Sequence, residues 1–126
     1  MKDRPLHMSA ASGQLAMTKA LVRRGAQLDP QTSWGMTPLY CAAEKGHDGV
    51  VGLLLAAGAA VNQADKDEMT PLLIASQNGH VAVVQQLLAS DAAVDQANNE
   101  GVTPLFMASQ NGHVAVVQQL LASDAA

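Results

Sequence analysis

Apolar residues recur at helical spacing in separate parts of the chain. One such stripe consists of His80, Val83, Val84, Leu87 and Leu88. Its i, i+3, i+4, i+7, i+8 spacing is typical of a helix that buries one face. Residues 47–55 repeat the pattern. Helices of about eight to ten residues are marginal alone, so these stripes predict short helices that must pack against neighbours.

A shorter helix is predicted in front of each stripe. Thr70 followed by Pro71 is a good helix start. The Thr hydroxyl caps a free backbone N–H, and Pro lacks the N–H that the first helical turn could not pair. The helix is predicted to run from Pro71 to Asn78, where Gly79 ends it in the left-handed conformation. A second helix then begins at about Val81. Asn-Gly also suits a hairpin turn, but neither flank alternates with period two.

This helix pair recurs every 33 residues. The period is marked by Pro5, Pro38, Pro71 and Pro104, each followed by leucine. Residues 75–93 and 108–126 are identical. We expect a single domain, residues 1–126, whose repeats cover about 1–31, 32–64, 65–97 and 98–126. Because each unit alone cannot bury its apolar face, stacking would create one continuous core.

Composition supports an all-α fold and narrows the class of protein. Trp34, Tyr40 and Phe106 are the only aromatic residues, so Leu, Val, Ala and Met must form the core. The single cysteine excludes an intrachain disulfide. The apolar run at 49–61 is too short to span a bilayer, and no signal peptide is recognisable. We therefore expect a soluble, cytoplasmic protein.

Charge argues against nucleic-acid binding. The net charge is −4, whereas nucleic-acid binding needs a basic footprint. The basic residues are nevertheless concentrated near the start of the chain. Five of the seven are Lys2, Arg4, Lys19, Arg23 and Arg24. This cluster is interpreted as a solvated face, with an acidic partner as the alternative.

Two segments carry a resemblance to a known family. They are GMTPLYCAAEKGHDGVVGLLLAAGAAVN at 35–62 and GVTPLFMASQNGHVAVVQQLLASDAA at 101–126. The TPL, GH and LL motifs in a 33-residue register closely resemble ankyrin repeats. The resemblance implies a solenoid of stacked antiparallel helix pairs with β-turn fingers. It also implies that a protein partner binds the finger tips and the concave face of the first helices.

Two departures from the ankyrin pattern affect the predicted structure. The histidine of the family's TPLH motif is replaced by Tyr40, Leu73 and Phe106, which should weaken polar cross-linking and add packing. The glycine that ends the second helix becomes Asp91 and Asp124. Because Asp tolerates the left-handed conformation less well than Gly, these helix ends should be looser.

A third departure lies in a finger. Glu68 stands where the other fingers have Gly35 and Gly101. The turn at residues 65–69 is therefore expected to differ in shape from the other two.

Three regularly spaced histidines raise a metal hypothesis that their geometry opposes. Equivalent positions in His47, His80 and His113 should lie one helix-packing distance apart, roughly 8–10 Å. A zinc ion needs ligand nitrogens at about 2.0–2.1 Å, so we expect structural histidines that bond neighbouring backbone. The acidic run from Asp65 to Glu68 lacks the rest of a calcium loop. No metal or other cofactor is predicted.

The sequence contains no recognisable catalytic site. Cys41 lacks a signature of an activated nucleophile and is interpreted as a small, partly buried side chain. Phosphate loops and metalloprotease motifs are also missing. We predict that the protein is not an enzyme and has no catalytic residues.

The predicted partner-binding surface combines apolar finger tips with a row of amides. Trp34 is its most individual member, and it either forms a binding hot spot or folds back over Met36 or Tyr40 as a shield. Met36, Met69 and Val102 occupy equivalent finger positions and form an apolar strip. The full set is Trp34, Met36, Glu44, Lys45, Lys66, Asp67, Met69, Gln77, Asn78, Asn99, Glu100, Gln110 and Asn111.

The predicted function is non-catalytic binding of another protein, with neither nucleic acid nor membrane as partner. The alternative is a partnerless scaffold, a spacer, or an engineered, consensus-like array cut from a longer ankyrin protein. Identity between copies three and four favours that alternative. The final helix should expose part of the set Val114, Val117, Leu120 and Leu121. Such exposure would be explained if the chain is a fragment of a longer array, or if its uncapped ends pair with another copy of the chain.

The C-terminal repeat is predicted to be the least stable. Its last helix has no neighbour on one side, and its helix end carries Asp in place of Gly. Native-state hydrogen exchange should show faster exchange in residues 98–126 than in residues 32–64. Equal protection of the two repeats would refute this expectation.

Overall fold

A computed structural model describes residues 5–123 of the chain. The described part contains eight helices. They are α1 Pro5–Ala11, α2 Leu15–Arg23, α3 Pro38–Lys45, α4 Asp48–Ala56, α5 Pro71–Asn78, α6 Val81–Ala89, α7 Pro104–Gln110 and α8 Val114–Ala122. The bounds of α5 and the start of α6 confirm the sequence prediction. Lys2, Arg4 and Asp124, which entered the predictions above, lie outside the described residues.

Threonine caps the first helix in three of the four units. The hydroxyls of Thr37, Thr70 and Thr103 accept hydrogen bonds from backbone N–H groups three residues later, at 3.1, 3.1 and 3.3 Å. Proline follows each threonine as the first helical residue. These local bonds fix where each unit begins, as the Thr-Pro pairs predicted.

The helix pairs stack in two rows. Helices α1, α3, α5 and α7 pack successively against one another, and α2, α4, α6 and α8 form the second row. One cluster of buried side chains runs through all four pairs, from Leu6 to Leu120. Residues 5–123 contain no strand. The predicted all-α solenoid of helix pairs is therefore confirmed.

An imidazole joins each repeat to the preceding one. His80 donates its Nε2–H to the carbonyl of Glu44 at 2.9 Å, and His113 does the same to Gln77 at 2.9 Å. His47 bonds Ala11 at 3.0 Å. The prediction that these histidines bond neighbouring backbone is confirmed. No group of three or more metal-ligating side chains occurs between residues 5 and 123.

A glycine makes room for each of these imidazoles. Gly79 ends α5 with φ 75°, and a Cβ placed on it would lie 2.5 Å from His113 Nδ1. Gly46 has the same relation to His80, at 2.7 Å. Glycine is therefore required at this position for two reasons. It adopts the left-handed backbone without strain, and it leaves space for the histidine of the next repeat.

The substitutions at the TPLH histidine position have unequal outcomes. Tyr40 and Leu73 are buried, but Phe106 is 55% exposed because no helix pair in the described chain follows it. The added packing is thus found in two of three copies. His7, the one histidine retained at this position, bonds the Met36 carbonyl at 2.8 Å.

The prediction that the finger at residues 65–69 differs in shape was wrong. Glu68 adopts φ 61°, in the same left-handed region as Gly35 and Gly101. Its turn is closed by a 2.9 Å bond from Asp65 N–H to the Met69 carbonyl. The corresponding bonds measure 2.9 and 3.0 Å in the other two fingers. Hydrogen bonds within the finger therefore hold the shared shape, although Glu68 does not favour the left-handed conformation.

The last helix exposes part of its apolar set, as predicted. Val114 and Leu121 are 65% and 54% exposed, whereas Leu120 is fully buried. Asp91 at the end of α6 takes φ 65°, and the Ala92 N–H still bonds the Leu87 carbonyl at 3.0 Å. Its expected looseness stays a prediction.

Replacing Gly79 with Ala should destabilise the array more than the same change at Gly112. Both glycines have φ near 75°, but a Cβ at Gly112 meets nothing within 4 Å. Gly112→Ala should cost about 1 kcal/mol from backbone strain. Gly79→Ala should cost roughly 1–3 kcal/mol more, because the new Cβ overlaps His113 and the displaced imidazole loses its bond to the Gln77 carbonyl, which then keeps only the Asn111 amide. Urea unfolding measures both values.

A double-mutant cycle isolates the contact. In a His113→Ala background, the penalty of Gly79→Ala should fall to that of Gly112→Ala. An undiminished penalty would show that the imidazole is not the cause.

Candidate protein-binding groove

Three fingers project from the first-helix row, and each is held by one side chain. Asp65 Oδ1 accepts bonds from the N–H groups of Asp67 and Met69 at 2.9 and 3.0 Å. Asn98 and Thr32 accept the corresponding pairs of bonds in their own fingers. These residues are 33 positions apart. The oxygen acceptor, and not any single residue type, is what the turn needs.

The fingers are also bonded to one another. Lys66 N–H donates to the Trp34 carbonyl at 3.1 Å, and Asn99 N–H donates to the Asp67 carbonyl at 3.1 Å. The two bonds are equivalent to each other, because Lys66 and Asn99 occupy the same position in consecutive repeats, as do Trp34 and Asp67. The three fingers consequently form one wall, which presents Trp34, Asp67 and Glu100 at equivalent places.

A groove of about 440 Å³ lies between this wall and the first helices. Its lining residues are Trp34, Met36, Tyr40, Glu44, Asp65, Asp67, Met69, Ile74, Gln77, Asn98, Asn99, Glu100 and Met107. They come from three consecutive repeats. Eight of the thirteen residues predicted from the sequence meet here. Those eight are Trp34, Met36, Glu44, Asp67, Met69, Gln77, Asn99 and Glu100.

Two members of the predicted apolar strip, Met36 and Met69, line the groove, whereas the third, Val102, does not. Met69 is 9% exposed, because its backbone bond to Asp65 holds it at the inner end of the finger. Asn98 Nδ2 also approaches its sulfur at 3.5 Å. Met36 and Val102 are half-buried. The prediction of exposed apolar tips was therefore wrong for Met69, which forms part of the groove floor.

Five predicted binding residues lie outside the groove lining. They are Lys45, Lys66, Asn78, Gln110 and Asn111. Two of them have another partner: the Asn78 and Asn111 amides donate to the carbonyls of Glu44 and Gln77, at 3.1 and 3.0 Å. These amides accompany the histidine bonds between repeats. The continuous amide row predicted from the sequence is thus reduced to Gln77 within the groove.

Trp34 stands at one end of the groove with 56% of its surface exposed. Lys66 Nζ lies over its ring, 6.0 Å from the ring centroid, at the outer limit of a cation–π contact. A side chain exposed to this extent is a poor shield for α3. Its position favours the binding interpretation over the shielding one.

Tyr40 and Asp65 interact at the groove floor. Burial raises the pKa of the Tyr40 hydroxyl well above its usual 10.0, and the charge and hydrogen bonding of Asp65 raise it further. Tyr40 therefore keeps a polar interaction between α3 and the finger at residues 65–69, whereas the replacement of histidine was expected to weaken polar cross-linking and add packing.

Cys41 is buried on α3 as a free thiol. Burial first, and then the nearby Glu44 carboxylate, raise its pKa to about 11. Because the thiolate is the reactive form, this thiol is protonated at neutral pH and suits packing, in agreement with its interpretation as a small structural side chain.

Sequence reasoning did not assign five of the lining residues to the binding set. They are Tyr40, Asp65, Ile74, Asn98 and Met107. A signal was available for two of them. Asp65 and Asn98 occupy the position of Thr32 in a strict 33-residue register, and all three residue types favour turns.

Comparison with protein families agrees with this geometry. The family model described as Ankyrin repeats (3 copies) matches residues 1–65 and 50–126. The chain belongs to the ankyrin repeat family. Ankyrin domains are generally protein-interaction modules and are typically non-catalytic. No curated protein matches the chain.

None of the helices within residues 5–123 has the length and apolarity needed to cross a bilayer.

Replacing Asp65 with Asn should lower the pKa of Tyr40 without disturbing the finger. Asn98 already supports the next finger with an amide oxygen, so Asn at 65 can keep the turn while removing the charge. The pKa should stay above 10.0, because burial is the largest cause of the shift. Ultraviolet titration of the single tyrosine measures the change; an unaltered pKa would disprove the contact.

The same titration carries a stability consequence. A raised folded-state pKa means that burial of neutral Tyr40 stabilises the fold fully below pH 10.0, the unfolded value, and progressively less above it. The Asp65→Asn variant should lose less stability than the parent over that alkaline range.

Proposed function

We propose that this ankyrin domain binds a protein partner in the groove between its fingers and first helices. The observation that carries the proposal is that the groove gathers side chains from three consecutive repeats around an apolar floor. A partner seated there would contact the most individual residue of the repeats, Trp34, together with the polar residues of the later repeats. Apolar floor and polar rim are the anatomy of a protein interface.

The lining also supports binding more than catalysis. Tyr40 in the lining and Cys41, the next residue on α3, both have raised pKa values and are held in their neutral forms by burial. A raised pKa disfavours the nucleophilic thiolate and phenolate at neutral pH. The remaining lining residues provide apolar contact area, together with amide and carboxylate groups that can bind the polar groups of a partner.

A scaffold without a partner is the competing proposal. Copies three and four share nineteen identical consecutive residues, 75–93 and 108–126. The groove itself argues against a bare scaffold, because its finger tips vary: Trp34, Asp67 and Glu100 occupy equivalent positions. Between copies three and four, every difference falls within residues 65–74 and 98–107, which form the finger and the start of the first helix.

Trp34→Ala and Gln77→Ala should weaken binding of a partner captured by the intact domain. A Trp that acts as a hot spot typically contributes 2 kcal/mol or more at an interface, so the first change should weaken binding about thirtyfold. Loss of one amide contact should weaken it roughly three- to tenfold. Affinity measured by calorimetry or biolayer interferometry checks both values.

Gln85→Ala is the matched control. Gln85 is exposed on α6, in the second-helix row, away from the groove. Its removal should leave the affinity unchanged. Groove variants that bind as well as the parent would reject this surface, and failure of the intact domain to capture any specific partner would favour the scaffold.

A further inference from the structure

The groove carries charge of one sign. Its four ionisable lining residues other than Tyr40 are Glu44, Asp65, Asp67 and Glu100, and neither Lys nor Arg lines it. The Asp65 carboxylate already accepts two backbone N–H bonds within its own finger and interacts with Tyr40. The other three carboxylates are available to a ligand. A cleft lined by one sign of charge concentrates the opposite charge from solution.

These carboxylates lie on both sides of the groove. Asp67 and Glu100 belong to consecutive finger tips and are exposed, whereas Glu44 stands on α3, on the helix side. The apolar floor between them includes Met36, Met69 and Ile74. A side chain with a long apolar stem and a cationic end suits this arrangement, because the stem can cover the floor while the charge meets either wall.

The chain itself places a cation beside the groove. Lys66 Nζ lies 6.0 Å from the centre of the exposed Trp34 ring. The indole face attracts cations through its quadrupole. A basic side chain from a partner would find the same attraction, in competition with Lys66.

We propose that the occupant of the groove is an extended, arginine- or lysine-rich segment of a partner protein. This inference rests on the proposed function and names the chemistry of the partner. Three repeats spaced by roughly 8–10 Å make a track of about 20 Å. An extended chain advances about 3.3 Å per residue, so some six or seven residues fill it. Acidic segments and nucleic-acid backbones are repelled by the same three carboxylates.

The probe is a capped seven-residue peptide with arginine at every second position and alanine between. Two companion peptides carry glutamine or glutamate in place of arginine. Trp34 is the only tryptophan in the chain, so its fluorescence reports occupancy of the groove directly. The arginine peptide should change this fluorescence and bind at least tenfold more tightly than the glutamine peptide. Its affinity should fall as salt is added, and the glutamate peptide should not bind.

Single neutralisations test the site. Asp67→Asn and Glu100→Gln should each weaken the arginine peptide roughly two- to fivefold, the range for one exposed charge pair. Lys66→Gln should act in the opposite direction and strengthen it by a similar factor. Asp48→Asn is the matched control: Asp48 is exposed at the start of α4, in the other helix row, and its loss should change affinity by less than about 1.5-fold.

The opposite sign for Lys66 separates charge from structure. If Lys66→Gln weakens binding as Asp67→Asn does, the charge argument is wrong. Equal binding of the glutamine and arginine peptides, or no binding of the arginine peptide at all, would also overturn the inference.

The inference and the proposed function fail in different ways. A natural partner that is lost on Trp34→Ala but unaffected by Asp67→Asn and Glu100→Gln would leave the groove as the binding site and reject a basic occupant. A partner unaffected by all these variants would reject the groove itself.

Discussion

The contact between one histidine and the glycine of the preceding repeat underlies the whole array. Each imidazole lies against a glycine that has a left-handed backbone, and its Nε2–H bonds a carbonyl two residues before that glycine. The contact therefore fixes both the distance and the rotation between neighbouring helix pairs. Since short helices gain their stability from packing, the continuous core depends on this spacing being the same at every junction.

The regular spacing in turn creates the binding surface. Fingers separated by a constant step can bond one another through backbone groups, as Lys66 and Asn99 do. Residues at equivalent positions then line up along a single wall. The side chains used to hold this framework, such as Asp65 in its finger and Asn78 between repeats, are fixed by it, while Trp34, Asp67 and Glu100 remain free to differ. Stability and recognition are thus assigned to different positions of one repeat.

The framework also explains why residues poorly suited to a position are tolerated. Glu68 and Asp91 both adopt positive φ values, which cost an L-residue about 1–2 kcal/mol. Their turns nevertheless keep the hydrogen bonds found in the glycine-containing copies. These hydrogen bonds, which lie within the finger and at the end of α6, outweigh the local preference of each residue.

The sequence by itself determined the architecture, because its signals are local and repeated. Thr-Pro caps, left-handed glycines and apolar stripes each act within one helix pair, and the 33-residue period then requires those pairs to stack. Local rules also located most of the groove, since finger and first-helix positions can be counted along the repeat. They predicted less well which side chains line the groove, because its walls bring together residues about 33 positions apart in the sequence.

Only the tertiary structure decided how equivalent residues are used. It buried Met69 at the groove floor, directed Asn78 and Asn111 to the carbonyls of the preceding repeat, and kept the turn around Glu68 regular. The physical reason is the same in each case. A period shows which residues are equivalent, but hydrogen bonds and contacts within the folded finger and with the neighbouring repeat decide whether a side chain faces solvent, the core or the groove.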